Sequence, residues 1–251
     1  SDDAGKMQAL VDEVKRFSDW SGMWVNVSKS KITAINYATG LEPQTGHILY
    51  GDKRFTYLGS DESYKYLGFH VSLTLNWTDH KLAVREKIRD TIGQLKDTIY
   101  RYGQVEAMIR VCVVPLFLYS ACLVPWTAGE LQLLSMQFGI AMKNSWKVSA
   151  QCGRAVMTAG AEQGGWASPL AESYHLQEMW GLYRQSLNHD DAVKHTLTWN
   201  LRRLLKEHGC CTVAALQREL HLKRMKRTWL ERLLSTAASL RLCFESDLDV
   251  K

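Results

Sequence analysis

The chain has 251 residues, 46% of them hydrophobic and 23% charged, with a formal net charge of +5. This length and balance suit one or two globular domains with ample core, and they exclude an intrinsically disordered chain. Charge is uneven: from Leu201 to Arg232 there are nine Lys or Arg against three Asp or Glu, so this block is a candidate nucleic-acid or anionic-membrane surface, with a solvated helix face as the plain alternative.

The first element is a helix over residues 4–19. Met7, Leu10, Val11, Val14 and Phe17 share one face, Ser1, Asp2 or Asp3 caps it, and Gly22 ends it. Trp24 to Tyr37 alternates as strand, turn, strand, with Val25, Val27, Ile32 and Ile35 as apolar marks. Short strands follow at 47–50, 55–58 and 64–72, with turn signals at Gly51-Asp52 and Ser60-Asp61.

Beyond that the chain reads as helical. Val84, Ile88, Ile92, Leu95 and Ile99 recur at steps of four, four, three and four, the pattern of an amphipathic helix over 81–101. Val111 to Trp126 is the most apolar stretch, 16 residues with two prolines. A spanning helix needs about 20, so the expectation is a buried helix broken at Pro115 or Pro125, and no membrane. A helix over 131–143 is followed by a loop at 159–169, a candidate boundary. Further helices are expected over 170–187, 190–207, 212–220 and 223–240, with Thr212 as an N-cap.

Cysteines occur at 112, 122, 152, 210, 211 and 243 without a CxxC pair. That usage points to a reduced, intracellular chain, nuclear or cytoplasmic. His208, Cys210, Cys211 and His221 fit no zinc-ligand spacing, and no metal site is expected.

Two separated stretches carry a resemblance. "WSGMWVNVSKSK", residues 20–31, resembles the Gly-x-x-x-Asn-x-x-Lys segment beyond the catalytic aspartates of reverse transcriptases of non-LTR retrotransposons. "YKYLGFHV", residues 64–71, resembles the Tyr-Leu-Gly motif of their primer grip. The 81–101 helix, "IRVCVVPLFLYSA" and Trp146 are similar to the helical thumb that follows. The likeness covers residues 1 to about 150. It implies a palm remnant over 1–75, a small sheet with one helix and a primer-grip-like hairpin, and a helical thumb over 76–150. With the helical basic region read from the residues over 151–251, the expected fold is α+β and predominantly helical.

The resemblance also implies roles. Lys29 would lie near the phosphates of an incoming nucleotide, where a cation stabilises the leaving pyrophosphate, and Asn26 would brace the turn. Tyr66, Leu67 and Gly68 would form the primer grip. Gly68 has no side chain, so a nucleic-acid backbone can approach closely. Without the resemblance, Lys29 and Asn26 read as ordinary turn residues.

Nucleotidyl transfer in this family needs aspartates that hold two metal ions. Asp2-Asp3 stands too close to Asn26 and opens directly into a helix, and Asp190-Asp191 reads as a cap. No catalytic residue is therefore assigned. The expectation is a fragment that contacts an RNA or DNA primer-template without polymerising. It holds no cofactor itself, although the parent family would use Mg²⁺. Alternatives are a helical nucleic-acid-binding module with no polymerase role, or an inactive pseudogene product.

The basic block supplies candidate phosphate contacts: Arg202, Arg203, Lys206, Lys223, Arg224, Lys226 and Arg227. The helix pair over 213–234 has roughly helix-turn-helix spacing but lacks a Gly at its joint. Trp199 and Trp229 are expected in the core, at the spacing of the leucines.

Overall fold

A computed structural model describes residues 4–33, 48–96, 102–149, 151–188, 192–222, 228–239 and 242. It is α+β and predominantly helical, and it divides into two compact units, Ser1–Ala83 and Val84–Lys251. The expected caps at 1–3 and 190–191, the strand residues 34–37 and 47, the end of the 81–101 helix, and residues 223–227 lie outside the described residues.

In the first unit, α1 (Ala4–Ser21) ends where Gly22 takes φ +72°, the left-handed conformation that favours glycine at a helix terminus. The core gathers Val11, Val27, Ile48 and Tyr50, with Met7, Val25, Ile32 and Phe55 packed against it. Gln8 fixes α1 on the strand β2 (Leu49–Tyr50): its amide donates to the Leu49 carbonyl and accepts the Leu49 N–H, both at 2.8 Å. The buried face therefore centres on Ala4, Met7 and Val11. Leu10 and Phe17, farther round the helix, are 57% and 51% exposed, and Val14 is 49% exposed. The five apolar residues expected on one face are therefore not all buried.

Among the described residues the strands form three separate two-stranded ladders rather than one sheet. β1 (Lys31–Ile32) pairs in parallel with β4 (Thr56–Tyr57), and β2 pairs antiparallel with β3 (Lys53–Arg54). β5 (Tyr64–Tyr66) and β6 (Phe69–Val71) form a hairpin, as expected of the primer-grip-like stretch, so that the strand read over 64–72 is folded in two. The reason is local: Leu67 and Gly68 both take positive φ, +47° and +87°, as a two-residue hairpin turn requires. The strand expected from Trp24 is absent. Residues 24–26 are irregular and 27–29 form a 3₁₀ turn.

In α2 (Thr78–Lys96), Val84, Ile88, Ile92 and Leu95 are all buried, as their spacing requires. The division between units falls within this helix. In the second unit, α3 (Tyr102–Met108), a π-helical turn at Ile109–Val113 and α4 (Val114–Ala121) run on as one helix. Pro115 does not break it. A proline has no N–H to return and its ring crowds the carbonyl four residues back. The π turn absorbs both effects, with the Val114 N–H reaching the Ile109 carbonyl. By length and composition Gly103–Ala121 is apolar enough to cross a membrane, and Ile109, Val113, Phe117 and Ala121 within it are fully buried.

α5 (Ala128–Trp146) opens on a capping box between Thr127 and Glu130. After α6 (Arg154–Thr158), the 159–169 loop folds back on it. Trp166 and Ser168 donate to the carbonyls of Val156 and Met157, and Arg110 donates to the Ala167 carbonyl at 2.6 Å. This loop is thus pinned within the second unit. α7 (Ala171–Asn188), α8 (Ala192–Glu207), α9 (Val213–Leu222) and α10 (Trp229–Ser239) share a core of Leu176, Met179, Leu201, Leu205, Leu216 and Leu233. Thr212 caps α9 as expected, through its hydroxyl to the Ala215 N–H. α10 begins at Trp229, later than the expected 223, because Thr228 and Glu231 form a second capping box.

Candidate nucleic-acid interface

The 20–31 stretch leaves α1 with its aromatics in solvent: Trp20 is 83% exposed and Trp24 92%. Asn26 then organises the 27–29 turn. Its Oδ1 accepts the Lys29 N–H at 3.2 Å and the Ser28 hydroxyl at 2.7 Å, and its carbonyl accepts the Ser30 hydroxyl at 3.0 Å. Asn26 braces the turn through its side-chain oxygen. Val27 is the one buried residue of the turn and ties it to the unit's core.

Two further links hold this stretch. The β1–β4 ladder joins Lys31 and Ile32 to Thr56 and Tyr57, extended by the Leu58 N–H bonded to the Ile32 carbonyl at 2.7 Å. The Tyr64 hydroxyl donates to the Lys29 carbonyl at 2.5 Å. The 20–31 and 64–71 stretches are therefore brought into contact.

The Lys29 side chain is exposed, and among the described residues its ammonium has no ion-pair partner. An open groove runs beside the turn, lined by Trp24, Asn26, Ser28, Lys53 and Arg54 among others. Lys31, Lys53 and Arg54 are exposed too. Two cations, Lys53 and Arg54, and an uncovered indole thus line one groove with the Asn26 turn. Sequence reasoning missed Lys53 and Arg54, since only the β2–β3 hairpin brings them to the groove. Tyr66 and Leu67 project at the tip of the β5–β6 hairpin, 60% and 70% exposed. Among the described residues no three His, Cys, Asp or Glu side chains are grouped to hold a metal ion.

In the second unit, Arg202, Arg203 and Lys206 are exposed on α8, opposite the buried Leu201, Leu204 and Leu205. Lys223, Arg224, Lys226 and Arg227 lie outside the described residues. Trp199 is not in the core: it is 61% exposed, with the Arg203 guanidinium 5.3 Å from its ring centroid. It stands two residues before Leu201, roughly 200° round the helix, and so faces the other way. Trp229 does pack against the core and donates its indole N–H to the Cys122 carbonyl at 2.6 Å.

No protein-family model and no curated protein matches the chain.

Proposed function

We propose that the chain is a primer-template-contacting, non-catalytic part of a reverse transcriptase of the non-LTR retrotransposon type. The observation that carries this reading is the hydrogen bond from Tyr64 to the Lys29 carbonyl. It joins the two stretches whose order and spacing resemble that family. On this reading Lys29 lies by the phosphates of an incoming nucleotide, where its free ammonium offsets charge on the leaving group. Lys53 and Arg54 hold backbone phosphates in the groove. The primer strand lies along Tyr66, Leu67 and Gly68, where the bare glycine lets it come close. The chain does not itself polymerise, and Mg²⁺ belongs with the aspartates of the parent family. Its setting is intracellular, nuclear or cytoplasmic, a reading supported by the free thiols of Cys112, Cys122, Cys152, Cys210 and Cys211.

A second reading, a helical nucleic-acid-binding module with no polymerase role, is favoured by the cationic face of α8. The test that separates them is fluorescence anisotropy with a labelled primer-template. The first reading expects Lys53→Ala with Arg54→Ala to flatten the slope of log K against log salt by about one to two units. An unchanged slope in that variant, with wild-type binding intact, favours the second. No binding at low salt contradicts both.

A further inference from the structure

We propose that the outer face of α8 is a platform for single-stranded nucleic acid, with Trp199 as the surface on which a base stacks. This rests on the reading that the chain contacts nucleic acid. The inner face of α8 is satisfied: Leu201, Leu204 and Leu205 are at most 3% exposed. Trp199 on the other side serves no core, yet it is the largest apolar group a helix can present. Its ring is held by Arg203, whose guanidinium lies over it and is steadied by Glu207 at 3.3 Å. A ring fixed in advance loses less freedom when a partner stacks on it.

The surroundings select the partner. His195, Trp199, Arg202, Arg203 and Lys206 fall within roughly 100° of arc and about 16 Å of helix length. Glu207 neutralises Arg203 in part, but Arg202 and Lys206 have no ion-pair partner among the described residues. One aromatic ring among unpaired cations is the pairing that single-strand binders use: charge tracks the backbone and the ring takes a base face. A duplex keeps its bases stacked on each other and offers the ring nothing. A membrane-surface helix would instead need a continuous apolar stripe.

The test is anisotropy of the full chain against labelled oligo-dT, oligo-U and a blunt duplex, for the wild type, Trp199→Ala and Trp199→Phe. Because the ring is mostly exposed, Trp199→Ala should melt like the wild type. The expected result is about tenfold weaker binding of both single strands to Trp199→Ala, near-normal binding to Trp199→Phe, and less than twofold change on duplex. Polyglutamate at equal charge should displace the strand poorly. Unchanged single-strand affinity in Trp199→Ala overturns the platform and leaves the proposed function standing. Equal losses on single strand and duplex, or efficient displacement by polyglutamate, overturn base stacking. A wild-type chain that binds none of these probes overturns the platform and the proposed function together.

Discussion

The Tyr64 hydroxyl and the Lys29 carbonyl oxygen lie 2.5 Å apart across 35 residues of chain. The 27–29 turn is thus held twice, from within by Asn26 and from without by Tyr64. Tyr64→Phe removes one neutral hydrogen bond at a partly exposed site, a loss of about 0.5–1 kcal/mol. The expected outcome is faster amide hydrogen exchange at Lys29 and Ser30, with α7–α10 unaffected. Exchange rates equal to the wild type would mean that Asn26 alone holds the turn.

Leu67 is a second test. A leucine at φ +47° is strained, and its side chain is 70% exposed. A hairpin turn with two positive φ values favours Asn-Gly. Leu67→Asn should therefore raise stability by about 1 kcal/mol, read as a higher thermal midpoint. If Leu67 also lies against primer, the same variant weakens primer-template binding while it stabilises the unit.

His80 sets a pH dependence. It is buried, stacked on Phe69 at 5.3 Å, and its Nδ1 accepts the His70 N–H at 3.3 Å, so the neutral ring carries its proton on Nε2. Burial pushes its pKa below the ordinary 6.5, and the His70 charge adds to this. The unfolded chain thus takes up a proton at higher pH than the folded one. The contribution is fully present above pH 6.5 and is lost as pH falls toward the lowered value. The thermal midpoint should drop between pH 7.5 and 5.5, and His80→Phe should flatten that dependence.

Gly165 tests the pinned loop. A Cβ there would collide with the Ala159 carbonyl, which is backbone and cannot swing aside. Gly165→Ala should cost about 1–3 kcal/mol, as overpacking does. It should also disturb the contact of Trp166 with Trp146, whose ring centroids are 4.3 Å apart. Denaturant midpoints and tryptophan fluorescence check both.

What the sequence made legible was local. The spacing of Val84, Ile88, Ile92 and Leu95 defined the buried face of α2, and Thr212 announced its helix, because both signals lie within a few residues. The capping boxes Thr127–Glu130 and Thr228–Glu231 were equally readable and would have placed two helix starts. What needed the fold was long-range. The rotation of α1 depends on Gln8 meeting Leu49, 41 residues away. The inward turn of Trp229 was readable from the leucine spacing, but its indole bond to a carbonyl 107 residues away was not. Lys53 and Arg54 join Asn26 only through a hairpin and a parallel ladder. The positive φ of Leu67 was not readable, because leucine seldom takes it.

The most direct measurement is photo-crosslinking of the chain to a primer-template that carries a photoreactive base at the primer 3′ end, with crosslinked peptides identified by mass spectrometry. Adducts are expected in the 20–31 stretch or the 64–71 hairpin, lost when unlabelled primer-template competes. Adducts confined to the second unit, or none above the level of a competed control, would contradict it.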